Sequence, residues 1–504
     1  MIASANDLTD GTTLTGDLCI IGAGPAGLTL ADRLRATAAD VIVLESGVDD
    51  PEGATQDLAA GPVTGEPFRF NDNDTALEQT HLRQFGGTSN HWTGMCRPMD
   101  EHDLDTRAAV PRSGWPLALD DLAPHYARAI ASCQLPADEF AAAWWAEQTG
   151  HGLLVDDDRM RSVAFQFSPP TRFGPELRPA LAAAPRTRVY QHANVIELVT
   201  TGDGRRVRSA TGRTLSGRRF TVEADRFVVA AGGVETPRLL LASTGASPGG
   251  VGNAFDLVGR HFMDHPHAIA GRVQLVPAPD TWALYVIGEQ HTRAGGTTLI
   301  WTGLAPSAAA QADAGIGNGV ALLWGGLGGP ERGARDDDTV ASAAVAAVAG
   351  APAPGPSAVL SVRIEQVPNP DSRVTLAAER DALGMPRASV HWQLLDADRA
   401  TLRGTIELVA ESLGAHGLGR VEVDPSGRPI EQWPIGIGNH HMGTARMHVD
   451  PAQGVVDPDG KVHEVDNLYV CGSAVFPTSG MTNPTLTIVA LAHRLAEHLG
   501  APRG

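Results

Sequence analysis

The chain has 504 residues, 42% of them hydrophobic and 19% charged, with a formal net charge of −19. That size and composition describe a globular protein with a large core and two domains. The acidic balance argues against nucleic acid or an anionic membrane surface as partner and suits small neutral ligands.

Four cysteines, Cys19, Cys96, Cys133 and Cys471, are scattered without CxxC spacing, which points away from a disulfide framework or a metal site. Met1 to Thr15 is polar and has neither a basic leader nor an apolar run. No stretch of about eighteen apolar residues follows anywhere, so the expectation is a cytoplasmic protein without a membrane span.

The first informative segment is a short apolar strand, Leu18-Cys19-Ile20-Ile21, running straight into Gly22-Ala23-Gly24-Pro25-Ala26-Gly27. A helix is predicted from Pro25 to Arg35, then a buried strand Val41–Leu44 ending in Glu45. This is a complete βαβ dinucleotide fingerprint. Gly22 allows the tight turn, Gly24 lets backbone approach a pyrophosphate, Gly27 packs helix on strand, and Glu45 accepts from a ribose. FAD and NAD share it, so it does not choose between them.

Next comes Phe85-Gly86-Gly87-Thr88-Ser89-Asn90-His91-Trp92, where small residues let backbone lie flat against a ring system, with an imidazole and an indole beside it. A helix is predicted over Leu119–Cys133, and Trp144-Trp145 reads as either core or an apolar wall. Alternation over Val195–Val199 and Arg218–Glu223 predicts strands, and Arg226–Ala231 a buried one. Gly232-Gly233 leads from it into a second strand-to-helix joint. Val258 to Pro266, dense in polar groups, reads as the crossing into a second domain.

Residues 267–325 alternate as a sheet with one face on a pocket, and 326–356 is a low-complexity surface excursion around a predicted helix at 339–349. Val359–Ile364 is a strand whose end carries Glu365-Gln366, read either as polar groups facing a substrate or as turn caps. Asp396–Ala415 has the period of an amphipathic helix, and Asn467–Ala474 of a buried strand ending in small residues. Near the end, Gly438-Asn439-His440-His441-Met442-Gly443-Thr444 sets two imidazoles in a Gly-rich loop. Some forty residues later Thr482-Asn483-Pro484-Thr485 opens a helix, with Pro suited to its first turn. A His and an Asn held together there can bind and deprotonate an alcohol, given an electron acceptor.

Taken together these motifs resemble the glucose–methanol–choline (GMC) flavin oxidoreductases over nearly the whole chain. The match runs through Gly22-x-Gly24-x-x-Gly27 with Glu45, Gly86-Gly87-Thr88-Ser89, Ala231-Gly232-Gly233, Gly259-Arg260 with Asp264-His265-Pro266, His440-x-x-Gly443-Thr444 and Asn483-Pro484-Thr485. Within the family the Gly-Gly-Thr-Ser-Asn-His-Trp segment is most similar to pyranose 2-oxidases and bacterial sugar or glycoside 3-oxidases.

The resemblance implies an α/β (α+β overall) protein: a Rossmann-like FAD-binding domain and a substrate domain on an antiparallel sheet. The first is discontinuous, over 1–100, 190–265 and 440–504; the second covers 101–189 and 266–439. It implies FAD contacts at Gly22, Gly24, Gly27, Glu45, Gly86, Gly87, Ser89, Asn90, His91, Val195, Ala231, Gly232, Gly472, Ser473, Pro484 and Thr485. His91 falls in a slot that some members bond covalently to the flavin and others do not. His440 takes the position of the catalytic base, with Asn483 as its partner.

The implied reaction oxidises a secondary hydroxyl, at C3 or C2, of a pyranose sugar or glycoside, with dioxygen reduced to hydrogen peroxide. The alternative is a dehydrogenase handing electrons to a quinone or protein. A flavin monooxygenase or NAD(P)H-dependent reductase shares Gly22 to Glu45 but does not require the His440/Asn483 pair, and neither does a flavin-binding protein without catalysis.

Overall fold

The computed structural model describes residues 1–70, 73–276, 282–285, 290–293, 296–324, 357–424 and 427–500. The predicted 326–356 excursion, with its helix at 339–349, lies outside the described residues.

Two eight-stranded sheets organise the chain. The first runs Ile2–Ser4, Thr187–Gln191, Val41–Leu44, Thr12–Ile21, Arg219–Val229, Val207–Arg213, Asn194–Thr200, with Leu468–Val470 also paired to Arg219–Val229. Its central pairings are parallel, and Leu18 to Ile21 faces both Val41–Leu44 and Arg226–Val229. Burial on both faces explains the unbroken apolar runs that the sequence shows there. The Val207–Arg213 and Asn194–Thr200 strands turn back as an antiparallel edge.

The second sheet is antiparallel throughout: Gly419–Val423, His267–Leu275, Ser357–Ile364, Gly319–Trp324, Gly296–Pro306, Met160–Phe167, Met95–Cys96, with Gln290–Arg293 also paired to Gly296–Pro306. The helix Asp396–Ala415, observed with its predicted bounds, lies against this sheet and buries Leu402, Ile406, Val409 and Leu413 in the second core. Trp145 is wholly buried in that core, which settles the Trp144-Trp145 pair as packing.

The segment 101–189 packs against both cores. The helix Leu119–Ser132 packs on the C-terminal helix Thr485–Gly500, where Tyr126 and Thr487 share a hydrogen bond of 2.8 Å. Phe173–Ala183 packs on the helix Pro25–Leu34, and Thr187–Gln191 is a strand of the first sheet. Their apolar residues Leu122, Tyr126, Phe173 and Leu181 belong to the first core, a pairing that amphipathic periodicity alone leaves unassigned. The four cysteines are buried free thiols. Among the described residues no helix is long and apolar enough to cross a membrane, and no cluster of three or more His, Cys, Asp or Glu is arranged for a metal ion.

Candidate active site

The Gly-rich turns of the first sheet converge on one place. Gly22 has φ +103°, and a Cβ there would lie 2.6 Å from the Ala230 carbonyl oxygen, so the first Gly-rich joint rests on the second. A Cβ on Gly27 would lie 1.9 Å from the Gly22 oxygen, a contact that only glycine permits. Gly86 donates its N–H to the Ala23 carbonyl at 2.8 Å, and Gly87 sits backbone to backbone on Gly24.

Around this crossing the backbone is left bare. A Cβ on Gly232 would meet nothing within 4 Å, and one on Gly472 only Ala26 Cβ at 3.9 Å. Such a cradle of small residues around a helix N-terminus fits the pyrophosphate and ring of FAD. Glu45 closes its far end, buried, with Ala23 and Gly47 N–H groups on separate carboxylate oxygens at 2.8 Å. Burial pushes its pKa up against those hydrogen bonds. Oε1 also accepts from the Ser46 hydroxyl at 3.1 Å, so Oε2 is the oxygen that keeps a lone pair for a ribose hydroxyl. Two residues before Val195, Ala193 N–H donates to the Glu45 carbonyl at 2.7 Å.

Ser89 and Asn90 spend their side chains inside the turn: the Ser89 hydroxyl donates to Gly86 O at 2.7 Å and the Asn90 amide to Phe85 O at 2.9 Å. These bonds brace the turn that shapes the cradle. His91 differs. It is exposed, its ring has no hydrogen-bond partner among the described residues, and desolvation followed by the charges of Arg172 and His81 lowers its pKa.

The loop of His440 is tied to this cradle by a substitute hydrogen bond. In the helix Gly232–Ala242, Pro237 has no N–H for the Gly233 carbonyl, and the Thr444 hydroxyl donates to that oxygen at 2.7 Å instead. Ser473, beside Gly472, donates to the His441 carbonyl at 2.7 Å. The loop itself turns at Asn439, whose φ of +56° lies in the left-handed region that Asn tolerates best after Gly.

One buried carboxylate holds this loop. Asp264 accepts from the N–H of Gly438 (2.7 Å) and of His265 (2.6 Å) on Oδ1, and from His440 N–H (2.9 Å) and His441 Nδ1 (3.1 Å) on Oδ2. Burial alone would raise its pKa, but the His441 bond and the surrounding imidazoles prevail and hold it at about 2. His441 is fixed on its other side by the Thr80 hydroxyl at 2.7 Å and stacked on Phe68.

His440 faces the opposite way. Its Nε2 lies 3.4 Å from Asn483 Nδ2, and its Nδ1 lies 2.8 Å from Nδ1 of His265. Burial first, then the charges of His265 and Arg363, push its pKa well below 6.5, so the ring is neutral at pH 7. Asn483 immediately precedes Pro484 and the helix Thr485–Gly500, whose positive end faces the same side.

Glu365 and Gln366, read in the sequence as substrate contacts or turn caps, are both buried. Glu365 is 1% exposed and makes a two-pronged ion pair with Arg107 at 2.5 and 2.6 Å. Gln366 Oε1 accepts from Trp392 Nε1 and from Asp264 N–H, both at 3.0 Å. The Gln366 amide nitrogen donates to the Gln393 carbonyl at 3.4 Å.

Three residues at this centre had no role in the sequence reading: Asp264, His265 and Arg363. The Asp264-His265-Pro266 cluster was a visible signal. Arg363, one of several arginines on alternating strands, carried none.

Two family models described as GMC oxidoreductase match the chain, one over residues 176–267 and one over 368–492. The C-glycoside 3-oxidase of Microbacterium trichothecenolyticum is 27% identical over 549 residues, covering 96% of this chain and 96% of its own. The fructose dehydrogenase large subunit of Gluconobacter japonicus is 24% identical, covering 96% of this chain and 98% of its own. Among solved structures, pyridoxine 4-oxidase from Mesorbium loti superposes with a TM-score of 0.58 at 18% identity, covering 97% of this chain and 100% of that one. With both family models matched in order and relatives aligned end to end, this chain belongs to the GMC oxidoreductases, flavoproteins that oxidise CH–OH groups.

Proposed function

We propose that the protein is an FAD-dependent oxidase of a secondary hydroxyl, at C3 or C2, of a pyranose sugar or glycoside, with dioxygen as acceptor. The observation that carries this reading is the His440–Asn483 pair at 3.4 Å, on a loop hydrogen-bonded to the Gly-rich cradle. Relatives named for glycoside and pyranose oxidation support the substrate class.

His440 binds the substrate hydroxyl at Nε2 and takes its proton, as a neutral imidazole can at pH 7. Asn483 donates an Nδ2 hydrogen to the same oxygen, which orients the carbinol C–H. The imidazolium that forms is offset by the Asp264 carboxylate, whose charge acts to raise the His440 pKa. The helix end at Pro484 and Thr485 favours negative charge developing on the oxygen. FAD, when bound by Gly22, Gly24, Gly86, Gly87, Gly232 and Gly472, supplies the two-electron acceptor for the carbinol hydride. We assign the first sheet to cofactor binding and the antiparallel sheet, with Arg363 at its site end, to the substrate side.

A second reading, transfer of electrons to a quinone or protein, is favoured by the fructose dehydrogenase relative. One experiment separates the two. The purified yellow protein is mixed anaerobically with a panel of sugars and glycosides, then opened to air. Bleaching followed by recolouring with hydrogen peroxide is expected. Bleaching that persists in air and is reversed by a quinone makes it a dehydrogenase; no bleaching by any sugar overturns the substrate class. Acid precipitation reads the role of His91: colour in the pellet for a covalent tether, in the supernatant for contact alone.

A further inference from the structure

A single row of hydrogen bonds runs through the base. His265 Nε2 lies 2.9 Å from the Gly480 carbonyl and 3.3 Å from that of Ser479. His265 Nδ1 meets His440 Nδ1 at 2.8 Å, His440 Nε2 meets Asn483 Nδ2 at 3.4 Å, and Asn483 Oδ1 meets Arg363 Nη1 at 2.9 Å. The two ends of the row are chemically unambiguous. A carbonyl only accepts and a guanidinium only donates.

From the carbonyl end, His265 must carry its proton on Nε2. A neutral His265 then presents a bare Nδ1, so His440 must donate from its own Nδ1, which leaves Nε2 bare. From the other end, Arg363 requires the Asn483 oxygen to face it. The amide NH2 therefore points at His440 Nε2, which again must be bare. Both directions give the same answer, and no atom in the row is asked to play two parts. Burial and the Arg363 charge hold His265 at about 4, so it is neutral as the argument needs.

We infer that His265 and Arg363 are positioning residues that hold His440 in the tautomer with the proton on Nδ1 and the lone pair on Nε2, facing the substrate. The inference rests on the proposed role of His440 and adds how its reactive nitrogen is selected. An isolated imidazole interconverts between tautomers, and a base in the wrong one has a proton where it needs a lone pair.

The geometry leaves the ring little alternative. A Cβ on Gly438 would lie 2.7 Å from His440 Nδ1, so the loop closes over that edge. Arg363 is itself buried, with Nε and Nη2 lacking a partner among the described residues and the Phe165 ring 5.7 Å from its carbon centre. Such a costly guanidinium is retained for the bond it makes to Asn483. The other charged or titratable groups acting on the two imidazoles are Asp264, bonded to the backbone of both residues, and His441 on the same loop.

The test is nitrogen NMR of the holoenzyme carrying 15N-histidine, with His440 assigned by its loss in His440→Gln. Across pH 6 to 8 without substrate, His440 is expected to show a protonated Nδ1 and a bare Nε2. A protonated Nε2, or an averaged mixture, in the unaltered protein overturns the inference without any mutant having to fold. In His265→Leu, which removes the acceptor, the two tautomers are expected to mix. There kcat should fall about a hundredfold while KM stays within about twofold, because His265 touches no substrate. His265→Asn puts an acceptor back near the Nδ1 position and should recover kcat to within about tenfold of the unaltered enzyme. Unchanged kcat and tautomer in His265→Leu would equally refute the idea. The spectrum needs no turnover, so a sugar panel that fails to bleach the flavin would sink the proposed substrate while leaving this result standing.

Discussion

Replacing Asp264 by asparagine is the most informative single change, because one carboxylate accepts four hydrogen bonds that shape the site. An amide keeps one oxygen. Whichever way it is turned, its NH2 faces two donors, either the N–H groups of Gly438 and His265 or the His440 N–H and His441 Nδ1. Two bonds to a charged acceptor are lost, at about 1.5–3 kcal/mol each, so the loop should be destabilised by about 3–6 kcal/mol. That is a large share of the roughly 5–15 kcal/mol that holds a domain folded.

The carboxyl also contributes pH dependence. Holding it at about 2 instead of its ordinary 3.8 is worth about 2 kcal/mol, fully present above pH 4 and lost as the pH falls through 2. Asp264→Asn should remove that dependence. Urea unfolding read by flavin release, with kcat in parallel, measures both effects. A variant within about 1 kcal/mol of the unaltered protein, with kcat unchanged, would refute the claim that Asp264 organises the loop.

Three further outcomes follow from the geometry. Gly27→Ala would drive a methyl to 1.9 Å from the Gly22 oxygen; overpacking of about 1–3 kcal/mol should displace the helix and give colourless protein, and a yellow variant would contradict the cradle. Glu365→Gln breaks the buried pair with Arg107 and should cost about 3–5 kcal/mol in urea unfolding while leaving the sugar KM unchanged; a raised KM alone would restore Glu365 as a substrate contact. His265, held near 4 by burial, is neutral when folded and protonated below 6.5 when unfolded, so stability must fall as pH drops from 6.5 toward 4, by about 2 kcal/mol at pH 5 from this residue alone. His493, at about 4, acts in the same direction; a flat urea midpoint between pH 7 and 5 would rule this out.

Much of the site was legible in the sequence where a local rule governs it. Gly22, Gly24 and Gly27 announce a tight turn and close approach because no other residue has the backbone freedom or the missing side chain. The apolar runs at Leu18–Ile21 and Val41–Leu44 announce buried parallel strands, and the period of Asp396–Ala415 gives a helix with the bounds observed. His440 and Asn483 stood out by their company of Gly and Pro. These are properties of short stretches, set by dihedral sterics and by the 3.6 and 2 residue repeats.

What only the tertiary structure decided is who meets whom across long stretches of chain. His265 reaches His440 across 175 residues and Arg363 reaches Asn483 across 120. Glu365, open to two readings in sequence, is paired with Arg107, 258 residues away. Leu119–Ser132 and Phe173–Ala183 have helical patterns that name no neighbour, and the first core claimed them. An apolar stripe or a lone polar side chain specifies what kind of partner it needs, through burial and hydrogen-bond satisfaction. Which partner it gets depends on the packing of both sheets at once, and that is where the direction of the row through His440 was set.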